Sequence, residues 1–541
     1  MSLCSKIKVP LPDSGILVRR SGKYRTVYKV LKTFRNEKKQ PTNNRIAIGR
    51  LDIENGMLIP NDTYWIYYEE SVQYTNQSET DAPLAVDTIQ AVGVAFLIGS
   101  ILESLGVTSI LRNSFGQKKA VAIMTAVTYM ACKGNVFEHV NDWCEGHMPI
   151  SEWLTSQSAS ALFASITHPE KMSFFREWVA IQLNNDCLAY DVTSFSSYAG
   201  RIIDTEWGYN RDGDNLPQIN FGCYLGQQSG LPVFYVTYPG SIVDKSHMKY
   251  MMAYNSELGV GNVCFIMDKG FCTTANVQYM HGKEIQYVIA AGIDTLTARE
   301  AIDNTRNGIV SMRNCVRPGI YACSTHSRFY GVTSNMHVYF NPELAERQRR
   351  DLYRLVEVNE EHLRQLEQLT KKEAKRYSAR FDIRLAEDGS FTFERDYEKI
   401  DKLAGACGYF CILSNTDIDS AGVLDIYRRK DSIEKCFDDL KNHIDMKRLR
   451  THSGDTTDGK MFCAFIALIA ISEIANRIAV GMKEKPIGKA ELMNELEKIK
   501  VVCLSNGRRL INPVTKTQRT ILAAFGLSEN DLMMYISKYD A

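Results

Sequence analysis

Two aspartates occur where apolar segments end, a common position for a side chain that binds a ligand. Asp191 lies at the end of the apolar residues 187–192, and Asp268 directly follows residues 263–267. Aspartate is a poor strand residue and is costly to bury without a partner. Each context alone also fits an ordinary capping acid. Two such strand ends in one domain, however, could converge on a single metal site.

A third acid, Glu434, lies in a segment predicted to be helical from about residue 420 to residue 443. Tyr427 and Lys441 are each seven residues from Glu434, and Lys430 is four residues before it. At 3.6 residues per turn, these side chains share one helical face. This group suits a phosphodiester, because the acid can hold a metal and the lysines can hold phosphate. An amphipathic helix with surface ion pairs is the alternative interpretation.

The chemistry expected of three such acids depends on metal. Mg²⁺ is a hard ion that prefers carboxylate oxygens and retained water. Two such ions about 4 Å apart can activate an attacking oxygen and stabilise a leaving one. Because packed carboxylates repel one another in the absence of metal, we predict that Asp191, Asp268 and Glu434 bind two divalent ions, Mg²⁺ or Mn²⁺.

The elements that must position these acids follow an α/β pattern. Apolar runs bounded by turn residues predict strands at residues 187–192, 218–225, 231–238, 263–267, 286–291 and 407–413. Helices are predicted at residues 245–258 and 274–281, and a strongly apolar helix at residues 461–480. Three strands come in succession and helices then alternate with strands, which predicts a mixed sheet flanked by helices.

Charge is distributed unevenly along the chain, although the net charge is only +1. Residues 1–50 contain thirteen Lys/Arg and two acids, whereas residues 51–90 contain eight acids and no Lys/Arg. This asymmetry favours a basic N-terminal module that meets phosphates. A solvated basic face without a partner is the alternative.

Cysteine usage and hydropathy indicate the compartment. The fourteen cysteines include no C-x-x-C pair, which argues against a structural zinc and favours buried free thiols. The first residues lack the apolar run of a secretory signal, and the apolar residues 461–471 are too few to span a bilayer. We therefore expect a cytoplasmic protein that does not associate with a membrane.

The segment around Glu434 resembles the DDE transposases of bacterial insertion sequences, in the branch with a Tyr-Arg-Glu-Lys signature. Tyr427, Glu434 and Lys441 match the signature, whereas Lys430 stands where the branch usually has arginine. Lysine keeps the charge but lacks the bidentate fork of arginine, and Arg429 next to it could compensate. The resemblance implies that these four residues, Tyr427, Arg429, Lys430 and Lys441, bind DNA phosphates.

The two aspartates extend this resemblance over about residues 185–480. Asp191 lies in an Asp-x-Thr context and Asp268 in an Asp-Lys-Gly-Phe context, similar to the first and second acids of the family. The resemblance implies an RNase H-like catalytic core in which Asp191, Asp268 and Glu434 are the catalytic residues and metal ligands. It further implies cleavage at the inverted-repeat ends of an insertion sequence and joining of the 3′-hydroxyl ends to target DNA.

Double-stranded DNA, as terminal inverted repeats and as target, is therefore the expected partner, bound by a homodimer or a higher oligomer. Two alternatives remain open: an RNase H-like nuclease without strand transfer, and a DNA-binding derivative that has lost catalysis. The predicted regions are a basic β-rich N-terminal module, a helical region that could contact DNA, a core in two parts, a β-rich insertion within the core and a C-terminal helical tail. In that order they occupy residues 1–75, 85–185, 186–291 with 407–480, 292–406, and 481–541.

Overall fold

A computed structural model describes most of the chain, and its residues group into two compact units. The described residues are 8–21, 24–35, 40–53, 55–68, 86–183, 187–199, 202, 205–208, 213–242, 248, 251, 254, 258, 263–483, 486–505 and 508–537. One unit comprises Met1–Asp87 with Cys503–Pro513, and the other comprises Thr88–Val502 with Val514–Ala541. The helix predicted at residues 245–258 lies almost entirely outside the described residues.

The N-terminal unit contains an antiparallel four-stranded sheet followed by one short helix. Its strands pair in chain order, and the elements are β1 (Ile16–Ser21), β2 (Tyr24–Arg35), β3 (Pro41–Asp52), β4 (Met57–Pro60) and α1 (Asp62–Tyr67). Val27, Ile48 and Leu58 are fully buried beneath α1 and form the centre of a small core. An antiparallel sheet commonly buries one face in this way and leaves the other in contact with solvent.

Residues 64–68 lie within the module predicted to be β-rich, but they belong to α1 and its end. The Asn61 side chain accepts a hydrogen bond from the Tyr64 backbone N–H and so caps the helix. Tyr64 stacks on Tyr68 with ring centroids 4.9 Å apart. The aromatic residues that indicated a strand therefore enter the core from a helix.

Helices dominate residues 86–183 of the second unit. After strand β5 (Val86–Ala91) the helices are α2 (Gly93–Ser104), α3 (Val107–Phe115), α4 (Gln117–Lys133), α5 (Val140–His147), α6 (Ser156–Ser165) and α7 (His168–Gln182). Residues 86–91 were expected to be helical and form β5 instead. Gly93 begins α2 where a side chain would not fit, since a Cβ there would lie 2.3 Å from the Leu496 carbonyl oxygen.

A large mixed sheet forms the centre of the second unit, as the sequence predicted. Its first elements are β6 (Leu188–Ser196), β7 (Gln218–Gly226), β8 (Pro232–Pro239), β9 (Cys264–Met267), helix α8 (Thr274–Gly282) and β10 (Gln286–Ala291). Strands β6, β7 and β8 are antiparallel neighbours, whereas β9 runs parallel to β6 and β10 runs parallel to β9.

Residues 292–406, expected to be a β-rich insertion, are mixed in structure. Their elements are α9 (Leu296–Thr305), β11 (Cys315–Arg317), β12 (Ile320–Phe329), β13 (Val332–Phe340), α10 (Pro342–Gln365), α11 (Lys371–Tyr377), β14 (Phe381–Leu385), β15 (Phe391–Arg395) and α12 (Tyr397–Ala406). Helices α10 and α11 are separate, and Thr370 caps the second of them through its hydroxyl.

Part of this segment continues the central sheet. Strand β16 (Tyr409–Ser414) pairs with β13 on one side and with β10 on the other. The described sheet therefore has nine strands in the order β11-β12-β13-β16-β10-β9-β6-β7-β8. The chain leaves the sheet after β10 and returns to it, so residues far apart in sequence share one hydrogen-bonded layer.

The helix predicted from residue 420 to residue 443 consists of three pieces. Helix α13 (Ser420–Arg428) ends in a turn, α14 (Asp431–Asp438) follows, and a π-helical segment covers Asp439–His443. Helix α15 (Gly454–Gly481) comes next, and residues 461–471 are all buried, which confirms the predicted core helix. By length and composition α15 is apolar enough to cross a membrane. Of its most apolar stretch of 18 residues, 67% is buried inside the protein.

The last residues are less uniformly helical than the tail predicted for residues 481–541. Helix α16 (Lys489–Leu496) is followed by the short strands β17 (Lys500–Leu504) and β18 (Arg509–Ile511), then by α17 (Lys516–Ala524) and α18 (Glu529–Ile536). Capping boxes begin both final helices, with Thr515 and Gln518 at the first and Ser528 and Asp531 at the second.

Candidate active site

Asp191 and Asp268 lie side by side on neighbouring parallel strands. Tyr190 of β6 is paired with Met267 of β9. The residue after each of these two is an aspartate, so Asp191 and Asp268 are at the same level of the sheet. Adjacent strands are about 4.8 Å apart, and paired residues point to the same face. Asp191 is the fourth residue of β6 rather than its last, which corrects the expected strand end. Asp268 does follow the end of its strand, as predicted.

Each aspartate uses one carboxylate oxygen to fix its local backbone. Asp191 Oδ1 accepts from the Val192 backbone N–H at 2.8 Å, and Asp268 Oδ1 accepts from the Lys269 backbone N–H at 2.8 Å. Asp268 thereby caps a short 3₁₀ turn. Both side chains are therefore held in place by the backbone that directly follows them.

Helix α13 covers the same face of the sheet and brings Tyr427 to the aspartates. Val423 and Leu424 pack with Ile266 of β9, and Asp268 is two residues after Ile266 on the same side of the strand. Further along the helix, Arg317 Nε donates to Asp425 Oδ1 at 3.1 Å. The helix is therefore held both by apolar burial and by an ion pair with β11.

The start of α13 is held by side chains of β13. His337 bonds through one ring nitrogen to the Ser420 hydroxyl at 2.9 Å and through the other to the Ser414 hydroxyl at 3.0 Å. The Tyr339 hydroxyl donates to the Ser420 carbonyl oxygen at 2.7 Å. These contacts join the segment after β10 to the helix over the acids, a connection that the sequence did not reveal.

Tyr427 makes the direct link from α13 to the acids. Its hydroxyl donates to Asp268 Oδ1 at 3.3 Å. Burial raises the pKa of Tyr427 most, and the charge and hydrogen bond of Asp268 add to the rise, with smaller contributions from the charges of Asp191 and Glu434. Tyr427 therefore contacts Asp268, and the charges of all three predicted acids raise its pKa. It stays protonated and acts as a donor to the carboxylate.

Helix α14 lies on the same side as Asp191. Asp191 is paired across β6 and β7 with Cys223, so the two side chains point to one face. The thiol of Cys436 on α14 neighbours that of Cys223, and the pKa of Cys223 is raised first by burial and then by this neighbour. Ile433 and Phe437 are also buried. This packing presents the first turn of α14, which includes Glu434, toward the aspartates.

Lys430 lies in the turn between α13 and α14 with its ammonium among the acids. Its side chain is only 6% exposed, and Nζ is 3.4 Å from Asp191 Oδ2 and 3.9 Å from Glu434 Oε1. The Lys430 N–H bonds to the Tyr427 carbonyl oxygen, so the helix tightens there. The predicted spacing already placed Lys430 near Glu434, and the structure adds the contact of its ammonium with Asp191.

The other predicted residues differ in their exposure to solvent and in their contact with the acids. The Glu434 side chain is 69% exposed and reaches the cluster through Lys430. Arg429 is exposed beside the turn, whereas Lys441 is buried in the π-helical segment. The structure thus brings together the three acids, Tyr427 and Lys430. Phosphate contacts by Tyr427, Arg429, Lys430 and Lys441 remain predictions.

The donor set fits a divalent cation in chemistry, although it is not a closed cage. Among the residues that the structure describes, no three acid, histidine or cysteine side chains are close enough together to hold a metal ion. Asp191 and Asp268 offer fixed carboxylate oxygens, the donors that Mg²⁺ prefers. The Glu434 carboxylate is exposed and is joined to Asp191 through Lys430. The ammonium of Lys430 lies between carboxylates that a metal would bring together.

Comparisons with known proteins place these residues in a family. A family model described as the transposase DDE domain matches residues 184–470, which is more than half of the 541 residues and includes Asp191, Asp268 and Glu434. A comparison with curated proteins finds no match. A solved piggyBac transposase synaptic complex with hairpin DNA is 9% identical, over 75% of this chain and 77% of that chain, with a TM-score of 0.38. On the family match, the chain belongs to the transposase DDE domain family.

Proposed function

We propose that the protein is a DDE transposase that cuts DNA at the inverted-repeat ends of its insertion sequence and joins the 3′-hydroxyl ends to target DNA. The observation that carries the proposal is the alignment of Asp191 with Asp268 through two parallel strands, with Tyr427 bonded to Asp268 and Lys430 lying between Asp191 and Glu434. In the proposed complex with DNA, these three acids would face one phosphodiester.

The order of five strands in the sheet supports an RNase H-like core. In the sequence β8-β7-β6-β9-β10, the first three strands are antiparallel and the last two are parallel to β6. The first acid lies on the central strand of this set and the second acid follows the strand next to it. This arrangement suits a site in which both acids act on one phosphate.

Each residue of the site has a proposed role. Asp191, Asp268 and Glu434 would hold Mg²⁺ or Mn²⁺, which supplies activation of the attacking oxygen and stabilisation of the leaving one. Tyr427 is a positioning residue, because its hydroxyl orients the Asp268 carboxylate. Lys430 and Arg429 hold phosphate oxygens by charge. Duplex DNA is the proposed substrate, bound as paired ends by a homodimer or larger assembly.

Cleavage of the DNA that flanks the gene tests the proposal. A labelled duplex carrying either flank is incubated with the full chain and Mg²⁺ or Mn²⁺, and nicked products are resolved on a denaturing gel. We expect Asp191→Asn and Glu434→Gln each to reduce the cleavage rate at least about 100-fold, since each removes a transition-state interaction worth about 3 kcal/mol. Asp431→Asn, an exposed acid on the same helix, is the control.

The outcome also separates the alternatives. If Glu434→Gln cuts the ends as fast as the wild-type chain, the assignment of the third acid is wrong. Precleaved ends supplied with a target plasmid should give joined products. Cleavage without joining would identify a nuclease. Specific binding of the ends without any metal-dependent cleavage would identify a DNA-binding derivative.

A further inference from the structure

The four strands of the N-terminal sheet are strongly cationic. They contain eight Lys/Arg and one acid, Asp52, which is paired with Lys8 at 2.6 Å. The cations are Arg19, Arg20, Arg25, Lys29, Lys32, Arg35, Arg45 and Arg50. An excess of one charge on a small sheet must be met by solvent ions or by an anionic partner.

The pairing register assigns part of this charge to one face. Val27 and Ile48 point into the core, so the neighbouring Thr26 points outward. Thr26 is paired with Arg19 on β1 and with Arg50 on β3, and these three side chains form one outward row across the sheet. The outer ends of this row are two strand spacings apart, about 10 Å.

Two tyrosines on the same face each contact an arginine through a cation–π interaction. The Arg50 guanidinium lies 4.3 Å from the centroid of the Tyr24 ring, and the Arg45 guanidinium lies 5.2 Å from that of Tyr28. Tyr24 is 55% exposed. Stacking restricts the planar guanidinium and leaves its edge donors free to face outward. We call Arg19, Tyr24, Tyr28, Arg45 and Arg50 the arginine–tyrosine face.

No carboxylate within the described residues neutralises this face. Arg19, Arg45 and Arg50 form no ion pair there, and the nearby Asp52 is already occupied by Lys8. An unpaired guanidinium is matched best by a phosphate, which can accept two parallel hydrogen bonds from its fork. Because an arginine lies over one face of each of the Tyr24 and Tyr28 rings, less of each ring is open for stacking unpaired bases.

We propose that the arginine–tyrosine face binds the phosphates of double-stranded DNA. The row is about 10 Å long, and each strand of a duplex carries one phosphate per 3.4 Å of axis, so the face meets more than one phosphate. The contact is independent of sequence and would hold DNA near the chain without reading bases. This inference deepens the proposed function by naming a DNA contact far along the chain from the acids.

Salt-dependent binding of the full chain tests the inference. Anisotropy of a labelled 30-base-pair duplex is measured at several NaCl concentrations with EDTA present, so that failure of the catalytic proposal does not affect the result. We expect Arg45→Gln/Arg50→Gln to lower the slope of log affinity against log salt by about 2, since each phosphate contact contributes about 0.9. At 0.1 M salt we expect affinity to fall about tenfold or more.

A second pair of arginines provides the matched control. Arg20 and Arg25 are exposed and are paired across β1 and β2. Each is one residue along its strand from the arginine–tyrosine face, so both side chains point to the opposite side of the sheet. Arg20→Gln/Arg25→Gln removes the same charge and should change the slope by less than half as much. Arg45→Lys/Arg50→Lys, which keeps the charge, should restore most of the slope and also report on folding.

Three results would overturn the inference. Equal losses in the two glutamine variants would mean that general charge, not this face, attracts DNA. An unchanged slope in Arg45→Gln/Arg50→Gln would mean that the face makes no phosphate contact. Tighter binding of a single-stranded oligonucleotide of equal length, lost in the same variant, would mean that the partner is single-stranded nucleic acid.

Discussion

At the residue scale, the position of Lys430 changes the interpretation of the candidate site. In the sequence Lys430 stands where the signature that this segment resembles has arginine, but its ammonium lies within 4 Å of two carboxylates. At an effective dielectric constant of about 20, a charge pair at this distance is worth up to about 4 kcal/mol. Lys430 therefore relieves the repulsion that Asp191 and Glu434 would otherwise experience, and it opposes a second cation at the same place.

Replacing Lys430 should therefore move metal binding and cleavage in opposite directions. We expect Lys430→Met to bind Mn²⁺ about tenfold more tightly, about 1.4 kcal/mol, because the competing charge is gone. The cleavage rate should fall, because a phosphate contact is lost. Calorimetric titration with Mn²⁺ measures the affinity, and Lys435→Met, an exposed lysine of the same helix, is the control. Unchanged or weaker Mn²⁺ binding by Lys430→Met would contradict the counter-ion role.

At the element scale, the position of the acids depends on helices that pack closely behind the sheet. Helix α15 is buried along most of its length and crosses α6 without space for a side chain at Gly459. A Cβ at Gly459 would lie 2.0 Å from the Phe163 carbonyl oxygen. Since backbone atoms cannot yield as a flexible side chain can, the two helices must separate if this glycine is replaced.

Gly459→Ala should therefore destabilise the second unit. Overpacking of a buried contact typically costs about 1–3 kcal/mol, which lowers the thermal unfolding midpoint by several degrees. The same change at Gly454 meets no atom within 4 Å, and Gly454→Ala should leave the midpoint unchanged or slightly raised, because alanine favours a helix. Circular dichroism on heating measures both variants. Equal midpoints would show that the helices can adjust without cost.

At the scale of the whole molecule, buried ionisable groups predict how stability depends on pH. Burial lowers the pKa of His337 to about 4, although the charge of Asp419 acts in the opposite direction. The unfolded chain binds that proton near pH 6.5, so the stabilisation is complete above pH 6.5 and is lost as the pH falls toward about 4. Burial also raises the pKa of Cys411 to about 12, so ionisation of the unfolded thiol erodes stability above about pH 8.5.

The denaturation midpoint in urea should therefore be highest between about pH 6.5 and 8.5. On the acidic side His337 accounts for a loss of up to about 3 kcal/mol. His337→Gln should show a shallower decline between pH 6.5 and 4, whereas His281→Gln, at an exposed histidine, should follow the wild-type curve. A parallel decline in wild type and His337→Gln would mean that other groups cause the acid sensitivity.

Much of the fold was accessible from local pattern. The strands β6 to β10 and the core helix α15 were predicted because apolar runs with turn boundaries persist in the folded chain. The helical structure of residues 64–68 was not predicted, because aromatic residues occur both in strands and in small helical cores. The Asn61 cap favours the helix here. The nine-stranded layer was also not predicted, because pairing of β13 with β16 joins segments about 70 residues apart.

The sequence by itself determined which chemical groups the site could use: two aspartates at apolar segments, then a glutamate with Tyr427 and Lys430 at helical spacing. Residue type and local spacing are properties of the chain and need no tertiary contact. Only the tertiary structure decided which atoms meet. Strand register aligned Asp191 with Asp268, and the break between α13 and α14 leaves the Lys430 ammonium beside Asp191. A register and a helix break are set by packing against distant segments, which local spacing does not record.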